Sequence, residues 1–215
     1  MDKKHICRAR RKLRSATRKV TAGPFQILPR LFYLTDPVRT PDPARTARQL
    51  PAGTVIIYRH FGAADRLVVA RRLAKIAIRR RLHLLISGDP KLARAVGATG
   101  VHWPESYIRQ ARYWTGQFRL QTISAHSRIA IARAATNGAD AALVSTVFAS
   151  FSPSSGPEMG PVRFRQLARH AALPLIGLGG VNPGNAGAIS GVAAIAAIDG
   201  IESAFGPNVP VASTP

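Results

Sequence analysis

The stretch Pro174-Leu175-Ile176-Gly177-Leu178-Gly179-Gly180-Val181-Asn182-Pro183 decides how this chain is read. Its short apolar run suits a strand buried on both faces, as parallel strands are. The run breaks into two glycines, which adopt backbone conformations closed to other residues and let a ligand approach the main chain. Asn182 then reads as a helix N-cap and Pro183 as the first helical residue. Free amide groups ahead of a helix N-terminus favour an anion, so the segment has the form of a phosphate cradle. Gly-Gly before Asn-Pro is equally the sequence of a plain tight turn, and the choice between the two rests on the remaining residues.

Working outward, the same alternation recurs from residue 31 onward. Short apolar runs lie at 31–34, 54–58, 83–86, 100–102, 119–123, 141–144, 175–178 and 192–195. Amphipathic stretches at 43–50, 64–80, 90–96, 127–136, 162–170 and 185–190 separate most of them, and a less regular one covers 105–114. Val/Ile/Leu runs alternating with helices mean parallel strands covered by helices. Eight such units predict a single (β/α)8 TIM barrel over 25–205, with a doubly wound open sheet as the alternative. Residues 206–215 read as a loose, Pro-rich tail.

A chain of 215 residues with 46% hydrophobic content can bury one sizeable core and is not composed like a disordered protein. No apolar run is long enough to span a bilayer. The one cysteine, Cys7, excludes an intrachain disulfide, which fits a cytoplasmic protein. Residues 1–24 carry nine Lys/Arg against Asp2 alone, and the other residues carry 22 basic against nine acidic. The body is therefore basic without its leader, which attracts phosphorylated metabolites or nucleic acid without choosing between them. The leader lacks the apolar core of a secretory signal and reads as a solvated, disordered segment, with a transit peptide, a nucleic-acid arm or sequence upstream of a misassigned start codon as the alternatives. The basic run on the helix at 64–80 reads as a solvated outer face.

In a barrel, chemistry sits where strands end and βα loops begin. Arg59 and His60 follow the second strand, Ser87-Gly88-Asp89 the third, and Ser124-Ala125-His126-Ser127 the fifth. Gly179 and Gly180 follow the seventh, and the turn around Ile195 and Ala196 is expected to complete the cradle. A cation facing a barrel mouth usually has an anionic partner, either a ligand or, for Arg59, Asp36 or Asp89. His102 reads as a structural histidine and Trp103 as an aromatic lid over the core. His126 is either a general acid–base or a group that only shapes its turn.

Five blocks together resemble the thiamine phosphate synthase and thiazole tautomerase (TenI-like) superfamily. They are Phe32-Tyr33-Leu34-Thr35-Asp36, Ala98-Thr99-Gly100-Val101-His102, Ser124-Ala125-His126-Ser127, Asn137-Gly138-Ala139-Asp140 and Gly177-Leu178-Gly179-Gly180-Val181. The resemblance spans roughly residues 31–200 and implies a thiamine-biosynthesis enzyme, transferase or isomerase, that binds a small phosphorylated heteroaromatic substrate. It implies His126 and Arg59 as catalytic residues, with Ser124, Gly179, Gly180, Ile195 and Ala196 binding substrate. A homo-oligomer is left open.

Departures from that family gather at one place. Relatives usually carry Asn-Asp where this chain has Ser87-Gly88, and that Asp is a magnesium ligand. A second metal-binding Asp is usual near Pro104-Glu105-Ser106-Tyr107, and lysines are usual at Phe61 and in the loop holding Ser150-Phe151-Ser152-Pro153. The residues expected to hold magnesium and pyrophosphate are thus missing, unless Asp89 or Glu105 replaces them, while the thiazole-phosphate cradle remains. This tilts the expectation toward tautomerase-like chemistry or a degenerate synthase. An active synthase and a non-enzymatic phosphometabolite- or nucleic-acid-binding barrel are the alternatives.

Overall fold

A computed structural model describes residues 3–18, 28–150, 152 and 156–206. Eight parallel strands close into a barrel in sequence order: β1 (Leu31–Leu34), β2 (Val55–Tyr58), β3 (His83–Ser87), β4 (Gly100–Trp103), β5 (Leu120–Ser124), β6 (Ala141–Val144), β7 (Leu175–Gly177) and β8 (Ala194–Ala197). Closure is made where β8 returns to β1, with Ile195 opposite Leu31 and Ala197 opposite Tyr33. The expected barrel is therefore the observed one, and the open sheet is excluded. No helix among the described residues is long and apolar enough to cross a membrane.

Alternation along each strand divides the core into two layers. Phe32, Leu34, Val55, Ile57, Leu85, Leu120, Leu143 and Ile176 fill the barrel interior. Tyr33, Ile56, Ile86, Trp103, Ile123, Val144 and Ile195 point outward against the helices. Those helices are α2 (Pro43–Ala47), α3 (Arg66–Arg80), α4 (Pro90–Ala95), α5 (Ile108–Tyr113), α6 (Arg128–Thr136), α7 (Pro161–His170) and α8 (Asp199–Phe205). Asp42, Asp89 and Ser127 cap α2, α4 and α6 by accepting from the amide three residues on. One buried network ties the ring of helices to the strands. Tyr33 Oη donates to Glu202 of α8, and Thr46 Oγ1 of α2 donates to the same carboxylate at 3.0 Å.

Two elements differ from expectation. No α-helix follows Pro183. Asn182 Oδ1 instead accepts from the Gly184 amide at 2.7 Å, and the segment passes through a turn into a single 3-10 turn, Ala186–Ala188. The last strand lies two residues later than expected, because the run Val192-Ala193-Ala194-Ile195-Ala196-Ala197 has no polar residue to mark its start.

The basic leader is the larger correction. Residues Lys3–Arg18 form a helix, α1, which packs beside α8 and the 3-10 turn between β7 and β8. Ile6, Leu13 and Ala16 are buried, with Ala9 against the same cluster. Spacings of three and four residues put these side chains on one helical face. Arg10 joins that face: its Nε donates to Ala204 O at 2.8 Å, Nη2 donates to Gln49 Oε1 at 2.6 Å, and its guanidinium lies 5.1 Å from the Phe205 ring centre. Residues 19–24 and the Pro-rich tail 207–215 lie outside the described residues.

Because Leu13 is wholly buried at this seam, Leu13→Ala should cost about 3 kcal/mol, as buried leucines do. For a chain of this size that is a drop of roughly 6–12 °C in melting temperature, read by circular dichroism or calorimetry. An unchanged melting temperature would detach α1 from the barrel.

Candidate active site

The strand ends form a polar mouth, and its geometry starts at β1 and β2. The Arg59 amide donates to Thr35 Oγ1 at 3.0 Å, which fixes the backbone from which its side chain departs. Arg39 lies above it, 2.9 Å from Asp199 and 3.6 Å from Asp36. Arg59 itself is within ion-pair distance of no carboxylate among the described residues. Burial lowers its pKa, Asp36 opposes that shift, and Arg39 adds to it. Asp36 shows the converse balance. Burial raises its pKa, but the Arg39 and Val38 amides and the charges of Arg39 and Arg59 prevail and hold it down. The mouth therefore holds a partly desolvated cation whose charge is only remotely compensated.

Across the opening, Gly179 and Gly180 have φ of +94° and +62°. A Cβ on Gly179 would stand 2.7 Å from Thr146 Cγ2, and one on Gly180 only 2.2 Å from Ala149 O. The glycines are thus required first by the loop after β6, which runs directly over them. That loop donates from Val147 N to Leu178 O at 2.9 Å and from Phe148 N to Gly179 O at 3.0 Å. With their carbonyls engaged, the amides of Gly179, Gly180 and Val181 have no backbone acceptor among the described residues. They line a cavity of about 370 Å³ together with Arg59, Ser145, Thr146 and the turn Ile198-Asp199-Gly200. Its chemistry suits a small anion carrying a flat or apolar group.

The other expected residues fall elsewhere. His126 is exposed at the rim, its amide donating to Glu105 Oε2 at 2.8 Å and its Nδ1 3.5 Å from Ser145 O on the cavity wall. It stands beside the cavity, not within its lining. Ser124 lies below the mouth, with its Oγ 3.0 Å from His102 Nε2. Ile195 and Ala196 are inside β8, Ile195 outward and Ala196 in the barrel core, so neither forms the cradle. The two-residue displacement of β8 puts Ile198, Asp199 and Gly200 there instead. Gly200 was the available signal, since a Cβ on it would stand 2.4 Å from Val181 O.

His102 is the structural histidine its position suggests. Its Nδ1 is 2.8 Å from Thr122 Oγ1, so both ring nitrogens are held by hydroxyls inside the barrel. Burial, then the charge of Arg59, pushes its pKa down to about 3. A neutral imidazole donates from one nitrogen and accepts at the other, which orients the two hydroxyls.

The donor set does not fit the magnesium ion that the family resemblance implies. Gly88 has no side-chain donor, and its backbone faces Phe61 and Pro104. Asp89 Oδ1 accepts from the Leu92 amide at 2.9 Å, and Oδ2 pairs with Arg66 at 3.1 Å. Arg66 Nη2 also donates to Ser87 O at 2.9 Å, so a guanidinium already holds both acceptors of this loop. Glu105 accepts from the His126 amide through Oε2 and is thereby held toward the loop after β5.

Comparisons with known proteins agree with this architecture. The thiamine monophosphate synthase family profile (TMP-TENI) matches residues 33–201, and the chain belongs to that family. A thiamine-phosphate synthase of Alcanivorax borkumensis is 31% identical over 172 residues, covering 76% of this chain and 79% of the relative. One of Xylella fastidiosa is 30% identical over 194 residues, covering 86% and 82%. Among solved structures, a thiamine phosphate pyrophosphorylase from Pyrococcus furiosus superposes with a TM-score of 0.70 at 22% identity, covering 84% of this chain and 89% of its own; this likeness concerns the fold.

The depressed pKa of His102 makes stability depend on pH with a definite sign. The unfolded chain takes up a proton near pH 6.5, whereas the folded one resists it until about pH 3. The contribution is present above pH 6.5 and is lost as pH falls through that window, at up to ~1.4 kcal/mol per pH unit. His102→Gln should flatten that part of the stability profile relative to wild type in urea titrations. Parallel profiles would contradict a buried, neutral His102.

Proposed function

We propose that the mouth cavity binds a thiazole carboxylate phosphate and that the chain catalyses its tautomerisation. One observation carries this reading: the anion cradle at Gly179 and Gly180 is open, while the carboxylate nearest the family's metal position is tied up by Arg66 and α4. Joining a pyrimidine pyrophosphate to a thiazole phosphate builds charge on the departing pyrophosphate, and magnesium with lysines normally stabilises it. A proton shift needs no such stabilisation. It needs an anchor for the phosphate, a partner for the carboxylate and a group that moves protons near neutral pH, for which an imidazole is suited.

In this scheme the amides of Gly179 and Gly180 receive the phosphate and Arg59 receives the carboxylate. His126 takes a proton from one carbon of the substrate and returns it at another, so the double bonds shift and nothing is consumed. Ser145, between His126 and the cavity, positions the imidazole through its carbonyl.

The synthase reaction is the second reading, favoured by the activity named for the relatives of Alcanivorax borkumensis and Xylella fastidiosa. The two separate in a paired assay of deuterium exchange on the thiazole carboxylate phosphate and magnesium-dependent formation of thiamine phosphate. Exchange without synthesis is the expected result, and magnesium-dependent synthesis would replace the proposal. His126→Ala should lower exchange by ~10²–10⁴-fold, the usual range for a general acid–base group, with phosphate binding retained. Arg59→Gln should weaken binding of the carboxylated ligand about ten- to a hundredfold in titration calorimetry, the worth of a charged hydrogen bond. Equal exchange in wild type and His126→Ala would remove His126 from the mechanism.

A further inference from the structure

The helices of the barrel run from the mouth back to its opposite end, where the strands begin. Each of α2 to α7 carries arginine in its last turn, and none has an acidic residue in its first. One cation per helix end is explained by the helix dipole. The carboxylates are placed otherwise. Arg39 and Arg66 pair with carboxylates at the mouth. At the far end Asp140 is occupied, accepting from the Gln121 amide at 2.7 Å.

Two of these last-turn arginines, Arg112 of α5 and Arg133 of α6, converge with Arg109 on the cleft between the two helices. This cleft has a volume of about 720 Å³ and is lined by Arg109, Arg112, Tyr113, Arg133 and Asn137. Tyr113 is 78% exposed, although a tyrosine ring is normally buried on at least one face. An uncovered aromatic face among three guanidiniums suits a flat unpaired base joined to phosphates. Elsewhere on the surface α1 adds further cations: it docks against α8 by its apolar face and turns Arg8, Arg11, Lys12 and Arg14 to solvent. With its apolar face used inside the protein, α1 cannot insert that face into a bilayer, which favours a nucleic acid over an anionic lipid surface.

We propose that this end of the barrel binds single-stranded nucleic acid, with one base stacked on Tyr113 and the flanking phosphates held by Arg112 and Arg133. The site is independent of the mouth and of the reaction assigned to it. Bases paired in a duplex cannot present a free face to Tyr113, so the site distinguishes single strands from duplexes.

The test uses the full chain and a fluorescein-labelled 20-nucleotide oligouridylate, read by anisotropy from 50 to 300 mM salt, beside a duplex of equal length. Arg112→Glu/Arg133→Glu should weaken binding at least tenfold and make the log–log salt slope shallower by about 1.4, the value for two lost contacts to a single strand. Tyr113→Ala should weaken single-strand binding by ~5- to 100-fold, leave the salt slope unchanged and leave duplex binding unaffected. The folded circular-dichroism spectrum and a cooperative melting transition should be retained in both variants, which separates a lost site from a damaged fold. Wild-type affinity in the double charge reversal would overturn the proposal. So would indifference of single-strand binding to Tyr113→Ala, which would leave only diffuse attraction. Arginine-dependent binding to phosphatidylserine vesicles without binding to the oligonucleotide would replace the nucleic acid with a membrane surface.

Discussion

Closing eight strands into a ring leaves no freedom in which side chains face inward, because the alternation along each strand is fixed once β8 pairs with β1. From this constraint follow both core layers and the contents of the mouth. Phe32 and Leu34 enter the barrel while Tyr33 between them leaves it to meet Glu202 and hold α8. The same parity sends His102, Thr122 and Ser124 inward as one hydrogen-bonded column below the opening. It sends Ile195 out to the helices. A residue near the end of a barrel strand is thus not a site residue by position alone. Its parity decides.

That distinction explains what was legible in the residues themselves. Strands made of Val, Ile and Leu between polar turns announce themselves, and seven of the eight apolar runs fall on their strands with small shifts at the ends. The eighth sits in an unbroken alanine-rich run, where neither edge nor parity is marked, so the turn expected at Ile195 and Ala196 lies instead at Ile198-Asp199-Gly200. The Gly-Gly pair was legible as a backbone requirement. Its immediate cause was not, since the atoms that forbid a Cβ there belong to Thr146 and Ala149, some thirty residues upstream. The leader failed for a different reason. Only Ile6, Ala9, Leu13 and Ala16 are apolar on its docking face, and the surrounding charge masks them. Burial of a few well-spaced side chains, with Arg10 adding its own contacts, is enough to hold a helix that composition alone reads as solvated.

The mouth shows how a cation can be supplied by the chain. Where relatives of this family are expected to bind a metal, Arg66 reaches over from the start of α3 to the carbonyl of Ser87 and the carboxylate of Asp89. A guanidinium fixed there neutralises the loop and repels a divalent ion. Arg59, by contrast, has no carboxylate partner among the described residues and lines the same cavity as the glycine amides. The cavity thus sets a cationic side chain opposite backbone amides, the arrangement on which the proposed binding of an anion with two separated charged groups rests.

The two ends of the barrel use the same helix polarity in different ways. At the mouth, free amides and one desolvated arginine are confined in about 370 Å³, which admits a small molecule and excludes a polymer. At the far end, arginines stand on helix C-termini that already favour positive charge, so they can be gathered there at little cost to any single helix. Their mutual repulsion is the remaining cost, in a chain of formal net charge +21. Screening that repulsion with salt stabilises the fold, whereas the same screening weakens any polyanion bound to this face. Stability and polyanion affinity must then respond to salt with opposite sign. A patch that bound by stacking alone would lose no affinity with salt, so the salt slope of the affinity reports the part that Arg112 and Arg133 play in the proposed site, apart from that of Tyr113.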